Sequence, residues 1–468
     1  MIPRYWQKAL REIWDGNTRK FSHWLTVGLA VLRVREALQQ IPAGTADQVT
    51  NRTWMDSAVA AAIDRRDTVI KHDLNAFIEM MRLQIILGAK AFRALIAIKS
   101  DKRFHKAVDR ALAAGQGNAD ASWFHDGMTS YDTEEGAFAL LLGESSPVIL
   151  AGLDRLIAAL VARAIKHRGV LKIGRTHGQH AQPMTFGIEC ITWLESVRRV
   201  RANLAAVMAE NCVMKLSGAV GVYGMLPPAV EEAVAAELNL RPVIATQIVP
   251  LEIRARLMNE LALSATVVEK VADDLWHLAQ TEIGEIREPF GQKQKGSAAM
   301  PHKKNPIGLE NVRGSAQLVQ GYAATMLRLV AVRAERDIAH SSAERLIWPD
   351  AFGMLDHLIQ RLAGIVEKME VFPERMLQNL ELTRGCIASQ RLEMLLKRNG
   401  LAAETAYRAV QAACSTALSE GRHLRQTILE QPEAAAALTD ADLDGVFDWA
   451  NWVQEEPYIY GRAGIQIA

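Results

Sequence analysis

The stretch Leu251-Glu252-Ile253-Arg254-Ala255-Arg256-Leu257-Met258-Asn259-Glu260-Leu261-Ala262-Leu263-Ser264-Ala265-Thr266-Val267-Val268-Glu269-Lys270-Val271-Ala272-Asp273-Asp274-Leu275-Trp276-His277-Leu278 decides the fold class. Within it Leu257, Leu261, Ala265, Val268, Ala272, Leu275 and Leu278 recur at spacings of three and four, which places them on one wide stripe of an α-helix. No proline interrupts the run and its first glycine is Gly284, so the reading carries one helix from Leu251 to Glu288. At a rise of 1.5 Å per residue that helix is about 57 Å long. An apolar stripe of that length needs partners along it. Strict heptads with flanking charge pairs are absent, which favours a bundle over a coiled coil.

The same pattern extends outward. Gly187 to Leu216 has no internal proline or further glycine, and Ile307 to Ala334 and Ala351 to Met369 read as further bundle helices. Alanine, leucine, glutamate and arginine dominate while Val-Thr-Ile alternation is rare, so the fold class is all-α. Before about residue 124 the segments are short, separated by breakers such as Ile41-Pro42-Ala43-Gly44 and Ala114-Gly115-Gln116-Gly117-Asn118. After Val371-Phe372-Pro373 they shorten again, as in Ser389–Arg398, closed by Asn399-Gly400. Three domains are expected: a helical domain over 1–124, a long-helix bundle over 125–370 and a small helical domain over 371–468.

With 54 Lys plus Arg against 53 Asp plus Glu, the 468-residue chain carries no charge footprint for nucleic acid or an anionic membrane. Any anionic ligand must be held by local clusters. The four cysteines, Cys190, Cys212, Cys386 and Cys414, are scattered, which fits a reducing compartment. The start Met1-Ile2-Pro3-Arg4-Tyr5-Trp6 lacks the layout of a signal peptide, and apolar runs such as Leu156 to Ile165 are broken by charge. The expectation is a cytoplasmic protein.

Four clusters offer chemistry. The first is Gln294-Lys295-Gly296-Ser297-Ala298-Ala299-Met300-Pro301-His302-Lys303-Lys304-Asn305-Pro306-Ile307-Gly308-Leu309-Glu310, an irregular loop running into a helix near Pro306. A serine is far too weak an acid to lose its proton near neutrality unless cations and N–H groups surround its oxygen, and Lys295 and Lys303 are placed to supply charge. The bland alternative is a solvated basic loop. A phosphate-binding P-loop is rejected, because Ser297 and Ala298 replace its Lys and Ser/Thr. The second cluster is Gly174-Arg175-Thr176-His177-Gly178-Gln179-His180-Ala181-Gln182-Pro183, whose histidines read as structural or as metal ligands; no cysteine partner or adjoining acidic cluster supports zinc. The third, His125-Asp126-Gly127-Met128-Thr129-Ser130-Tyr131-Asp132, reads as a capped helix start, a good seat for a carboxylate. The fourth, Glu335-Arg336-Asp337-Ile338-Ala339-His340-Ser341-Ser342-Ala343-Glu344-Arg345, is a solvated helix end or a phosphate site built from guanidinium forks and hydroxyls.

These stretches together resemble the fumarase/aspartase superfamily. The loop is similar to its Ser-Ser-x-Met-Pro-x-Lys-x-Asn signature, with Ala298 in place of the second serine, and Met300-Pro301-His302-Lys303-Lys304-Asn305-Pro306 is especially similar to the adenylosuccinate lyase branch. The resemblance implies a three-domain, fumarase/aspartase-like all-α fold and a homotetramer whose active sites draw on several subunits. It implies no metal and no cofactor. The implied reaction is β-elimination of fumarate from adenylosuccinate, giving AMP, and from the ribotide SAICAR, giving AICAR, in purine biosynthesis. Carried over residue by residue, Ser297 is the base, His177 the acid paired with Glu310, and Lys303 and Asn305 stabilise the dianion. Thr129 and Ser130 hold the succinyl carboxylate. Met300, His72 and Asp73, from a run similar to Arg-His-Asp, and Gln247, from a Thr-Gln element, contact substrate. Arg4, Tyr5, Arg336, Ser341 and Arg345 face the nucleotide. The run after Gln247, Ile248-Val249-Pro250-Leu251-Glu252, departs from the branch's Arg-Asp-Arg-His. Another superfamily lyase or a carboxymuconate cycloisomerase, acting on a non-nucleotide substrate, would keep the loop and lack the phosphate cluster. A non-catalytic relative would tolerate loss of acid or base, whereas here Ser297, His177, Lys303 and Glu310 are all present.

Overall fold

The computed structural model describes residues 1–291 and 293–466. Helix dominates, and among the described residues strands occur as three two-stranded pairs. The fold is all-α, as the alanine- and leucine-rich periodicity requires. The chain forms two compact units, one of Met1–Ala151, Arg201–Thr266 and Ala316–His357, the other of Gly152–Val200, Val267–Ser315 and Leu358–Ala468. Each division falls inside a long helix: Ser130–Lys166, Phe186–Glu210, Leu251–Leu278, Ile307–Leu329 or Ala339–Lys368.

The first unit packs around Phe21, Trp24, Phe77, Phe92, Phe104 and Phe124. Trp24 meets Phe77 edge-on at 5.5 Å and Phe21 stacks on Phe77 at 6.2 Å, geometries that suit the ring quadrupoles. Helix Thr18–Ala37 supplies Phe21 and Trp24 and runs 20 residues, longer than the short N-terminal segments expected, while Asp73–Ile96, which supplies Phe77, is broken at Gly88, where φ is 72° and ψ 167°. Lys71 takes a left-handed φ of 55° that ends helix Ser57–Ile70, and His72 Nδ1 accepts from the Asn75 N–H to start the next. His72 and Asp73 are thereby fixed at a helix start.

The second unit has its own core, in which Leu392 and Leu396 of helix Ser389–Arg398 meet Ala406 and Ala413 of helix Ala403–Glu420 and Ile173. Ile173 belongs to a β-hairpin, Leu171–Thr176 with Gln179–Thr185, which helix-biased composition had hidden. Its two-residue loop is His177-Gly178, with φ of 55° and 74°. Positive φ at both loop positions matches the right-handed twist of the strands, and glycine takes the second without strain.

Four helix limits differ from the sequence reading, one of them the start at Ala339 of the helix expected from Ala351. The helix from Leu251 stops at Leu278, ten residues before Glu288. Gly284 turns left-handed with φ of 62°, Glu285 N–H folds back onto the Leu278 carbonyl, and Arg375 and Asn379 donate to the freed Ile283 carbonyl. Ile286-Arg287 then pairs antiparallel with Glu370-Val371. The segment expected to reach Leu216 ends at Glu210, because Val213-Met214 pairs in parallel with Arg241-Pro242. The segment expected to reach Ala334 ends at Leu329, and the next helix begins at Ala339 and carries Pro349 inside it.

Candidate active site

In the second unit the loop before helix Ile307–Leu329 is built from backbone contacts. Ser297 Oγ accepts from the N–H groups of Ala299 at 3.3 Å and Met300 at 3.1 Å. Two donors aimed at one hydroxyl oxygen stabilise charge gathering there. Asn305 Nδ2 donates to the Gly296 carbonyl at 3.0 Å, closing the loop across its base. At Gly296 a Cβ would stand 2.1 Å from the Lys303 carbonyl oxygen, so only glycine fits. The Glu288 carboxylate accepts from Gly308 at 2.9 Å and Leu309 at 3.2 Å, capping the helix that follows. Burial raises the Glu288 carboxyl above the usual range, and those two N–H bonds oppose the shift. Lys303 and Met300 are exposed on this loop.

His177 stands exposed at the hairpin tip, and among the described residues it forms no hydrogen bond or ion pair. The strands beneath it are locked by charge. Arg175 donates to Glu285 at 2.6 Å, and Lys172, 2% exposed, pairs with Glu189 and Glu285. Burial, then the Arg175 charge, lowers the His180 pKa and keeps that imidazole neutral. Glu310, expected beside His177, is exposed and instead accepts from Trp276 Nε1 at 3.4 Å. The Arg313 guanidinium covers the same indole at 4.4 Å.

The first unit carries the other named residues. Thr129 precedes helix Ser130–Lys166, and its N–H donates to Asp132 Oδ2 at 2.9 Å. Asp132 and Lys215 are fully buried and paired at 2.6 Å. Lys215 also donates to the carbonyls of Gly218 at 2.6 Å and Gln247 at 3.2 Å, so one ammonium ties the helix start to Gln247. The Gln247 side chain accepts from Arg336 at 3.5 Å, and Thr246 Oγ1 donates to the Glu335 carbonyl at 3.1 Å. The Arg336 guanidinium lies 4.1 Å from the centre of the Tyr131 ring, and its buried Nε finds no acceptor. Gln247, Arg336 and the Thr129-Ser130 helix start are thus gathered in one place. His125 has φ of 64°, and burial drives its pKa down to about 4, leaving a neutral imidazole beside the same turn.

Asp73, Ser341 and Arg345 line a cavity of about 340 Å³ together with Lys20, Tyr131 and Glu134. Arg345 reaches Asp73 at 3.0 Å, while Ser341 Oγ donates to the Ile338 carbonyl at 3.2 Å. Burial pushes the Glu134 carboxyl up to about 7, with Asp73 adding to the shift. Arg4 stacks over Tyr5 at 5.2 Å, and Tyr5 packs on His357 at 4.6 Å.

Sequence reasoning passed over Trp276, Glu288, Lys20, Lys215 and Tyr131. Tyr131 stood inside a quoted cluster, whereas each of the other four meets its partners only through contacts between segments apart in the sequence. Among the described residues no three His, Cys, Asp or Glu side chains gather as a metal site, and no helix is long and apolar enough to cross a membrane.

The lyase family model matches residues 11–321, and the model described as adenylosuccinate lyase C-terminus matches residues 385–463. An adenylosuccinate lyase of Aquifex aeolicus (strain VF5) is 33% identical over 463 residues, covering 99% of this chain and 98% of that protein. Among solved structures, a fumarate lyase from Mesorhizobium sp. BNC1 superposes with a TM-score of 0.84 at 23% identity, with 100% of each chain covered. A 3-carboxy-cis,cis-muconate lactonizing enzyme from Pseudomonas putida superposes at 0.80 with 25% identity, covering 98% of this chain and 96% of that one. The two structural likenesses establish a fumarase-like fold, and the full-length sequence identity is finer. On these matches the chain belongs to the adenylosuccinate lyase family.

Proposed function

We propose that this chain, a carbon–nitrogen lyase by its family, eliminates fumarate from adenylosuccinate to give AMP and from SAICAR to give AICAR, serving purine biosynthesis. The carbon acid beside a carboxylate is weak, and removing its proton places a second negative charge on that carboxylate. Ser297 takes the proton, its oxygen supported by the Ala299 and Met300 N–H groups. Lys303 and Asn305 stabilise the dianion. His177 delivers a proton to the departing nitrogen as the carbon–nitrogen bond breaks, and Glu310 tunes it. Thr129 and Ser130 seat the succinyl carboxylate at a helix N-terminus, where unpaired N–H groups favour an anion. His72, Asp73, Gln247 and Met300 complete the substrate contacts.

The observation that carries the nucleotide reading is Arg336, a guanidinium with an unpartnered buried Nε and no ion pair among the described residues. A substrate phosphate supplies the missing acceptor, with Arg4, Tyr5, Ser341 and Arg345 around it. Lone His177 and exposed Leu263, Leu318 and Leu327 on the long helices support a homotetramer in which other subunits complete each site. The three-part division at 124 and 370 and a cytoplasmic location belong to the same proposal.

Fumarate release from adenylosuccinate by the wild type and by Ser297→Ala, followed by ultraviolet absorbance, tests the reading. Activity in the wild type with near-complete loss in the variant supports substrate and base. A folded wild type inactive on both nucleotides overturns the substrate, and an active Ser297→Ala overturns the base.

A further inference from the structure

Tyr131 has no part in the chemistry above, yet it is the residue on which the two anion sites meet. It follows Ser130 directly, so its backbone belongs to the first turn of the carboxylate-seating helix. Its ring is 6% exposed and lies 4.1 Å beneath the Arg336 guanidinium. His340, 1% exposed, packs tilted against the same ring with centroids 5.6 Å apart, and its Nδ1 is held 2.9 Å from the Asp337 carbonyl. Burial and the Arg336 charge both lower the His340 pKa, so this neighbour adds no second cation. Arg336 has the Gln247 amide oxygen at 3.5 Å, a long contact, and no carboxylate among the described residues. With one long contact to Gln247 and no carboxylate, the Arg336 fork depends for its orientation chiefly on the ring its flat face rests on.

We propose that Tyr131 is a positioning residue for nucleotide specificity: its ring aims the Arg336 fork at the substrate phosphate, at a distance fixed by the helix start that seats the succinyl carboxylate. This rests on the reading of Arg336 as a phosphate ligand. The ring face does the positioning and the hydroxyl does not, because the contact runs from guanidinium to ring centre. Losing the face leaves the fork free to swing, which weakens binding of the phosphate and leaves the rest of the substrate unaffected.

The test compares kcat/KM for adenylosuccinate and for succinyladenosine, its counterpart without the phosphate, in Tyr131→Phe, Tyr131→Leu and Arg336→Gln, with circular dichroism of each. Tyr131→Phe is expected to keep the discrimination ratio within about twofold. Tyr131→Leu is expected to lower it about tenfold, through KM for adenylosuccinate, with kcat nearly unchanged. Tyr131→Met replaces Tyr131→Leu should the latter not fold. If Arg336→Gln collapses the ratio and Tyr131→Leu leaves it intact, the positioning role is wrong and the phosphate reading stands. If Arg336→Gln leaves the ratio unchanged, the phosphate reading falls and the role of Tyr131 with it. Equal losses on both substrates in Tyr131→Leu would mark a merely structural ring and overturn the proposal.

Discussion

Arg345 and Asp73 meet at 3.0 Å, and Lys20 approaches the same Asp73 oxygen at 3.5 Å. One carboxylate oxygen from the start of helix Asp73–Ile96 therefore serves two cations, one of them on helix Ala339–Lys368. The Arg345 side chain remains 56% exposed, so the pair orients it without consuming all of its donors.

Arg345→Met tests that division of labour. Arg345 is the exposed partner and Lys20 still faces Asp73 after its removal, so the loss should be about 1 kcal/mol and the melting temperature should scarcely move. A charge-assisted contact to phosphate is worth about 1.5–3 kcal/mol, so KM for adenylosuccinate should rise by about 10- to 100-fold with kcat less affected. Steady-state kinetics beside a thermal melt reads both.

Lys215→Met should be the opposite kind of change. It strands the fully buried Asp132 carboxylate, which the ammonium holds at 2.6 Å. The expected loss is about 3–5 kcal/mol in denaturant unfolding, and the added change Asp132→Leu should recover part of it by removing the stranded charge. No recovery would mean that Lys215 matters through its carbonyl contacts instead.

Gly296→Ala introduces a Cβ 2.1 Å from the Lys303 carbonyl oxygen, and the loop must open to admit it. Misplacing Ser297 and Lys303 by about 1 Å should lower kcat by about 100-fold. The melting temperature should hold, since the segment is a surface loop. An unchanged kcat would show that the closed loop is not the reactive one.

Glu344 should give a pH-dependent stability. Burial pushes its carboxyl up to about 7, with Glu135 adding to the shift, although Trp348 Nε1 donates to it at 3.1 Å. The folded state then holds a proton that the unfolded state has released between about pH 4.5 and 7. Its stabilising contribution is complete below about 4.5 and is lost as pH rises through 7. Glu344→Gln keeps the Trp348 acceptor and cannot ionise, so it should gain on the wild type by on the order of 2–3 kcal/mol by pH 8 and by little at pH 5. Thermal melts across that range decide it.

The long helices and the irregular loop around Ser297 were legible in the sequence because each is written locally, in the three-and-four spacing from Leu257 to Leu278 and in the Gly and Pro punctuation of the loop. The end at Leu278 was not legible, because it is imposed by Arg375 and Asn379, nearly a hundred residues on, taking the carbonyl that the helix gives up. The hairpin was missed for a related reason. Its Ala, Gln and Pro residues have low strand propensity, and charge pairs among Lys172, Arg175, Glu189 and Glu285 hold it instead. Tyr131 and Lys215 escaped because a ring under a guanidinium and an ammonium under a helix start leave no periodic mark.

The turn His177-Gly178 also sets a rule about length. The register of Leu171–Ile173 against Pro183–Thr185 shifts between Ile173 and Arg175, and beyond that irregularity Arg175 stands opposite His180 and Thr176 opposite Gln179, across only two residues. Adding or deleting one residue at the tip would slide one strand by one place and exchange the faces on which its side chains lie. Arg175 would then part from Glu285, and the imidazole would point elsewhere with its chemistry intact. The hairpin therefore tolerates a changed side chain better than a changed count, and the two-residue gap is as much a component of the proposed site as the histidine it carries.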